Sequence, residues 1–218
     1  MAQLILASQS PRRRKLIELL GRPVHVVPAG VDEETIDDPD PRTNVLRTAD
    51  LKANAVAARF PEDVVIAADT TVAVDGHMLG KPAGTSEAVA MLRRLRGRAH
   101  QVHTGLVLLQ ASSSRRVASV SSTDVVMRPY TNEEINRYIA SGDPMDKAGA
   151  YAIQHPDFAP VAQVHGCYSG VVGLSLCQLC VALRRLGIDT DLDVAEQTQD
   201  YRDCPVCQTL IPGPSSAL

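Results

Sequence analysis

The chain has 218 residues with a formal net charge of −3 at pH 7, and 44% of its residues are hydrophobic. This length is enough to bury a sizeable core, as one large domain or as two lobes. The slightly acidic balance argues against a sequence-independent nucleic-acid binder. The lack of any run of roughly 18 apolar residues argues against a membrane span.

The N-terminal residues and the cysteines both bear on the cellular compartment. The segment MAQLILASQS lacks the basic region and the long apolar stretch of a secretory signal. The chain has 5 cysteines, an odd number, which without a signal indicates reduced thiols. We therefore expect a cytoplasmic protein.

The first predicted elements are a strand, a turn and a helix that together suit an anion. Leu4 to Ala7 is a short apolar run typical of a buried strand. Ser10 is a favourable N-cap, Pro11 suits the first helical position, and Gly21 ends the helix. Cations near a helix N-terminus oppose the helix dipole, yet the helix opens with Arg12, Arg13, Arg14 and Lys15. A bound phosphate would reverse that penalty, so we favour a phosphate-binding turn over an ordinary basic surface turn.

The next two elements carry charged residues whose role stays open at this point. Val24 to Pro28 is a predicted strand, followed by an acidic loop from Gly30 to Glu34. Such a loop is usually solvated, but its carboxylates can also supply oxygen ligands to a hard divalent cation. A helix is predicted from Thr43 to Arg59, with Lys52 in its apolar stripe. Lys52 either snorkels to water or projects into a cleft that holds phosphate.

The stretch from Val64 to Pro82 is the strongest candidate for chemistry. An apolar run from Val64 to Ala68 predicts a strand that is buried on both faces and stops at Asp69. Ligands of open α/β sheets bind beyond the carboxyl ends of the strands, so a carboxylate there is a candidate for catalysis. The alternative is that Asp69 caps a turn and that Lys81, after a turn at Asp75-Gly76, is solvated.

The rest of the chain alternates helices with paired strands, which favours the α/β class. The predicted elements are a helix from Thr85 to Arg96, paired strands from Gln101 to Leu109 and from Val117 to Met127, a helix from Thr131 to Ser141, a short strand or turn from Gly149 to Gln154, and a final helix from Leu174 to Leu186. His100 and His103 are three apart near a strand start, so they would point to opposite faces and chelate a metal poorly. A partly exposed turn is the favoured interpretation of these histidines.

The C-terminal residues 189–218 are polar and then rich in Pro, Gly and Ser, which predicts a poorly ordered tail. Two C-x-x-C pairs, Cys177/Cys180 and Cys204/Cys207, raise the hypothesis of a four-cysteine zinc site. The first pair lies in an apolar helical context, where buried structural thiols are the simpler interpretation. A zinc-dependent interaction module in the tail remains an alternative function.

Eight segments occur along the chain in a characteristic order: LILASQSPRRRKLIELLG, VDEE, LKANAVA, AADTTV, LGKP, HQVHTG, DKAGAYAIQ and GVVGLSL. Together they resemble the Maf family of nucleoside triphosphate pyrophosphatases. The resemblance covers about residues 3 to 187 and implies a Maf-like domain over 1–188. It also implies a mixed, twisted central sheet flanked by helices, with two lobes around a nucleotide cleft, as in Maf and ITPase proteins. The implied reaction cuts a nucleotide between its α- and β-phosphates and yields a monophosphate and pyrophosphate.

The resemblance also implies roles for particular residues. Asp69 corresponds to the family's general base, and Glu33 and Asp69 are the implied ligands of a divalent cation, Mg²⁺ or Mn²⁺. Three positions sort the family by base preference, and here they are Arg12, Thr70 and Gln154, as in the branch that acts on dTTP and UTP. The implied substrate-binding residues are Ser8, Arg12, Arg13, Lys52, Thr70, Lys81 and Gln154. The chain departs from the family pattern at GLSL, where GLPL is usual, and in the segment after Gln154.

The expected partner is a small-molecule nucleotide, with neither nucleic acid nor a membrane involved, and the family suggests a homodimer. The implied biological role is dual: arrest of cell division, and exclusion of modified nucleotides from nucleic acids. The alternative is a nucleotide-binding regulator of cell division with little turnover.

Overall fold

A computed structural model describes residues 2–190, together with Leu192 and Cys204. The strands are β1 (Leu4–Leu6), β2 (Val24–Val26), β3 (Val64–Val74), β4 (His77–Leu79), β5 (Ala99–Gln110), β6 (Arg115–Met127) and β7 (Val161–His165). The helices are α1 (Pro11–Glu18), α2 (Pro41–Ala57), α3 (Thr85–Leu95), α4 (Asn132–Ala140), α5 (Tyr168–Val172) and α6 (Leu176–Arg185). Short 3-10 turns cover Glu33–Thr35, Asp143–Asp146 and Ala148–Ala150.

The strands form one mixed sheet in the order β2-β1-β3-β5-β6-β7, with β4 paired to β3. β1 pairs in parallel with both β2 and β3. The β3–β5, β5–β6 and β6–β7 pairs are antiparallel. Helices cover the sheet, since α2 packs on β3 and β5 while α5 and α6 pack on β5 and β6. The predicted α/β class with a mixed central sheet flanked by helices is confirmed.

The expectation that the central strand stops at Asp69 is wrong. β3 continues to Val74 and stays paired with β5 along that length. The neighbour on its other side ends instead, because β1 stops at Leu6, which pairs with Ile66. β4 pairs with β3 only from Val72 onward. Among the described strands, none therefore covers residues 67–71 on this side, and Asp69 lies in the gap.

Three buried apolar clusters hold in place the elements that surround this gap. One lies where α1 and α6 cover the start of the sheet and includes Leu16, Ile66 and Leu183. A second surrounds the far end of β3 and includes Val74 and residues of α3 and α4. The third lies under α2 on the other face. Burial of this apolar surface stabilises the elements that surround the uncovered part of β3.

Some elements were not predicted. β4 and β7 are short strands outside the expected paired runs. The predicted final helix from Leu174 to Leu186 is present as α6, which Ser175 caps by accepting from the Gln178 N–H. α5 is an additional short helix that was not predicted, and it ends at Gly173, which has a φ of 129°. Within the described residues, no helix combines the length and the apolar character that a membrane span needs.

The cysteines bear on the zinc hypothesis only in part. Cys177 and Cys180 are fully buried, as the structural interpretation expects. Cys177 is disulfide-bonded, so the expectation of reduced thiols is wrong for this residue and its sulfur is not a thiolate ligand. Leu192 and Cys204 are buried in the same cluster. Cys207 and most of the predicted tail lie outside the described residues, so tail disorder stays a prediction.

His100 and His103 lie within β5 and are both 4% exposed, so the interpretation as a partly exposed turn is wrong. They have separate partners: His100 Nε2 lies 2.7 Å from the Tyr151 hydroxyl, and His103 Nδ1 lies 2.9 Å from Ser122 Oγ. Burial lowers the pKa of His100 from 6.5 to about 4. The histidines are therefore structural and do not form a chelate.

We expect His100 to make the fold sensitive to mild acid. The unfolded chain takes up a proton at this histidine near pH 6.5, whereas folded His100 does so only near pH 4. Stability is therefore full above pH 6.5 and falls as the pH drops towards 4, by about 3 kcal/mol in total. Urea unfolding across this range should show a shallower loss in His100→Gln than in the wild type. The exposed His165→Gln is the control, and an unchanged slope in His100→Gln would remove His100 as the cause.

Candidate active site

A cavity of about 730 Å³ opens where β3 lacks a neighbouring strand. It is bordered by the turn into α1, the acidic loop before α2, β3 and the loop before β7. The predicted site residues all line it: Ser8, Arg12, Arg13, Glu33, Lys52, Asp69, Thr70, Lys81 and Gln154. Residues far apart in the sequence are thus brought to one cleft.

Lys52 links the two predicted metal ligands. Its ammonium lies 2.7 Å from Asp69 Oδ1 and 2.8 Å from Glu33 Oε2. The side chain of Lys52 is only 8% exposed, against 15% for Asp69 and 45% for Glu33. Of the two interpretations left open by the sequence, the structure supports projection into a cleft rather than snorkelling to water.

The surrounding cations keep the Glu33 carboxylate ionised beside this lysine. Burial opposes ionisation of Glu33, but Lys52, Lys81 and Arg13 outweigh it and hold the pKa of the Glu33 carboxyl below its ordinary value. Both carboxylates contact the Lys52 ammonium, so they lie close to one another. A pair of neighbouring carboxylates suits Mg²⁺, which commonly uses one or two carboxylates together with phosphate oxygens and water. The chemistry of Glu33 and Asp69 therefore fits a divalent cation.

Close packing of α2 on the sheet positions Lys52. Gly105 of β5 pairs with Asp69, and a Cβ atom at Gly105 would lie 2.6 Å from the carbonyl oxygen of Val45 in α2. Only a glycine allows the helix backbone to approach this strand so closely. Lys52 comes two turns after Val45, and it reaches Asp69 on the neighbouring strand.

The turn into α1 brings arginines to the other side of the cleft. Ser10 caps the helix by accepting from the Arg13 N–H, and Ser8 Oγ accepts from the Ser10 N–H at 3.1 Å. Arg13 donates through Nε to the Gly173 carbonyl at 2.7 Å and through Nη2 to Thr70 Oγ1 at 3.1 Å. Burial lowers the pKa of the Arg13 guanidinium, and Asp69 and Glu33 offset this in part. An arginine remains protonated in proteins even so.

Asp69 and Thr70 give the cavity two different sides. Neighbouring residues of a strand point to opposite faces of the sheet. Asp69 meets Lys52 from α2, whereas Thr70 meets Arg13 and Thr104. Since the strand edge is uncovered here, one cavity reaches both faces. A ligand in it can therefore contact the carboxylate side and the threonine side at once.

Sequence reasoning missed two contacts in this region. Arg12 Nη1 lies 3.0 Å from Asp146 Oδ2, and the same carboxyl group accepts from Lys147 at 2.6 Å. Thr104 Oγ1 lies 2.9 Å from Thr70 Oγ1. The segments HQVHTG and DKAGAYAIQ contain Thr104, Asp146 and Lys147, so their match to the Maf pattern was the available signal. Lys81 and Gln154 lie at the exposed rim of the cavity.

The fold and the cavity define a class: an α/β protein whose cleft presents paired carboxylates, a buried lysine and arginines at a helix N-terminus to a polyanionic ligand. The chain matches the family described as Maf-like protein over residues 3–186. It belongs to the Maf family.

Three relatives of this chain share the name dTTP/UTP pyrophosphatase. The chain is 46% identical over 207 residues to the dTTP/UTP pyrophosphatase of Thermomicrobium roseum, which covers 94% of this chain and 91% of that protein. The enzymes of the same name from Pelotomaculum thermopropionicum and Symbiobacterium thermophilum are 42% and 44% identical, each over 86% of this chain and 98% and 95% of their own lengths. A HAM1 protein from Coxiella burnetii aligns with a TM-score of 0.39 at 16% identity, over 60% of this chain and 75% of its own, a likeness too weak to bear on the fold.

Proposed function

We propose that this chain hydrolyses dTTP and UTP to the nucleoside monophosphate and pyrophosphate. The observation that carries the proposal is the buried Lys52 held between Asp69 and Glu33 in the cleft that Arg12 and Arg13 also line. The name shared by relatives at 42–46% identity supports the choice of substrate.

Binding of the triphosphate is assigned to the cations around the cavity. The N-terminus of α1 supplies backbone N–H groups that favour an anion. Arg12 and Arg13 come from the first turn of this helix, Lys52 is buried between Asp69 and Glu33, and Lys81 lies at the exposed rim. Ser8 lies in the turn before this helix and lines the cavity, where its hydroxyl can donate to a phosphate oxygen. This arrangement gathers positive charge from two sides of the cleft before any bond is broken.

Asp69 is the proposed general base. Its Oδ1 accepts from Lys52, so Oδ2 is the oxygen that can accept a proton from the attacking water. Lys52 also fixes the orientation of the carboxylate. Glu33 and Asp69 would hold Mg²⁺ or Mn²⁺, which supplies neutralisation of phosphate charge and a more acidic bound water when present.

Recognition of the base is assigned to the side of the cavity on which Thr70 lies, opposite to Asp69. Gln154 carries both a donor and acceptors, which suits the O4 and N3–H groups of thymine and uracil. Thr70 lies deeper in the cleft, and Arg12 borders it, held by Asp146. We therefore assign the base to the part of the cavity that Thr70, Arg12 and Gln154 line.

The test is a panel of nucleotides with Mg²⁺ or Mn²⁺, read by release of pyrophosphate. We expect turnover of dTTP and UTP, and the panel includes CTP and modified pyrimidine nucleotides. Nucleotide binding without release of pyrophosphate would instead favour the regulator of cell division. We further propose a homodimer in the cytoplasm, with the dual role in division arrest and in clearing modified nucleotides, on the basis of the family.

We expect Gln154→Glu to change the ranking among nucleotides. A carboxylate can accept but not donate at neutral pH, so it loses the bond to O4 of uracil or thymine. The ratio of kcat/KM for UTP over CTP should fall about tenfold. Since Gln154 is exposed, the free energy of unfolding should barely change. The exposed Gln163→Glu on β7 is the matched control, and an unchanged ranking would show that the base is read elsewhere.

A further inference from the structure

A chain of hydrogen bonds runs inward from the cavity behind Thr70. Arg13 Nη2 donates to Thr70 Oγ1 at 3.1 Å. Thr70 Oγ1 lies 2.9 Å from Thr104 Oγ1, and Thr104 Oγ1 donates to the Gly170 carbonyl at 2.7 Å. Thr104 is 1% exposed, so this chain ends inside the protein rather than in water.

The direction of each bond follows from the number of protons available. A threonine hydroxyl has one hydrogen and two lone pairs, a guanidinium can only donate, and a carbonyl can only accept. Thr104 donates its single hydroxyl hydrogen to the Gly170 carbonyl, so it must accept a hydrogen bond from Thr70. The Thr70 hydroxyl therefore donates its hydrogen to Thr104 Oγ1, and one of its lone pairs accepts from Arg13 Nη2. The Thr70 hydroxyl then has one lone pair left, and only this lone pair is available to a ligand in the cavity.

This direction has a consequence for base selection. Uracil and thymine carry a hydrogen at N3, whereas N3 of cytosine is a bare acceptor. A hydroxyl free to rotate can satisfy either group. A hydroxyl whose hydrogen is committed elsewhere can accept from the N3–H of uracil or thymine but meets cytosine N3 with lone pair against lone pair.

We propose that Thr104 is a positioning residue that fixes Thr70 as a hydrogen-bond acceptor and thereby makes the site select uracil and thymine over cytosine. The inference rests on the proposed function, because it takes the base to lie against Thr70. Thr104 itself is not a lining residue of the cavity and acts through Thr70. Its burial next to Gly170 keeps water from replacing its hydroxyl.

The test compares Thr104→Val with Thr104→Ser. Valine preserves the shape of the side chain but removes the acceptor for the Thr70 hydrogen, and serine restores it. We expect the kcat/KM ratio for UTP over CTP to fall roughly tenfold in Thr104→Val and to stay near the wild-type ratio in Thr104→Ser. The Gly170 carbonyl keeps its bond from the Gly173 N–H at 3.0 Å, which helps the valine variant to fold. An equal loss for UTP and CTP in Thr104→Val would show a structural role only and overturn the proposal.

A double substitution tests whether Thr104 acts through Thr70. Thr70→Val should itself lower the UTP over CTP ratio, and adding Thr104→Val to it should lower the ratio no further, because Thr104 acts through Thr70. Additive effects would overturn the proposal that Thr104 acts through Thr70, even if each single variant behaves as expected. Failure of the proposed function is distinguishable, since the wild type would then release no pyrophosphate from UTP at all.

Discussion

Replacing Asp69 with Asn should reduce kcat for UTP by roughly a thousandfold, the range expected when a general base is lost. The amide keeps the size of the side chain and can still accept from Lys52. It removes a negative charge that faces the phosphates, so nucleotide binding should be retained or become tighter. Steady-state pyrophosphate release gives kcat, and equilibrium titration with a non-hydrolysable UTP analogue gives the dissociation constant.

Asp75→Asn is the matched control for this substitution. Asp75 lies on the turn after the same strand and pairs with Arg98 at 2.7 Å, outside the proposed binding machinery. Its variant should turn over UTP at the wild-type rate. If Asp69→Asn also turned over near that rate, Asp69 would have no role as the base.

Replacing Lys52 with Met should affect both activity and stability. Without the ammonium, Asp69 and Glu33 face one another as like charges in a partly buried site. Breaking a buried ion pair by removing one partner costs about 3 kcal/mol or more, and the half-exposed Glu33 places this case at about 2–3 kcal/mol. Turnover should fall by roughly a hundredfold, because one phosphate-facing cation and the orientation of Asp69 are lost together.

The dependence on pH separates this electrostatic cause from lost packing. In Lys52→Met, protonation of either carboxylate relieves the repulsion between Asp69 and Glu33, so the variant regains stability relative to the wild type as the pH falls. In the wild type the lowered pKa of Glu33 has the opposite effect, because that contribution is lost as the pH falls. Urea unfolding should therefore show the two proteins converging towards pH 4. The exposed Lys15→Met is the control, and a difference independent of pH would indicate packing as the cause.

Local patterns were sufficient for most of the elements but not for the place where the sheet opens. The run from Val64 to Ala68 was correctly predicted as a buried strand, but Thr70, Thr71 and Val72 are also good strand formers and the strand runs on. The gap arises because β1 is short, which is a property of its neighbour and not of β3. The prediction that placed Asp69 in a cleft therefore rested on a partly wrong reason, although Asp69 does line the cavity.

The same limit applies to the charged residues of the site. Lys52 in an apolar stripe had two interpretations, because its partner Glu33 lies in a loop whose position depends on the whole fold. Arg12 and Asp146 are 134 residues apart, and nothing in either segment predicts that they meet. The Maf resemblance supplied the residues of the cleft, whereas the direction of the Thr70 and Thr104 bonds required atomic positions.

The proposed reaction cleaves UTP between its α- and β-phosphates, with water attacking the α-phosphorus. Hydrolysis of UTP in ¹⁸O-labelled water, followed by mass spectrometry of the products, tests this most directly. We predict equal amounts of uridine monophosphate and pyrophosphate, with one labelled oxygen in the monophosphate and none in pyrophosphate. Release of orthophosphate, or label in pyrophosphate, would contradict the proposed reaction.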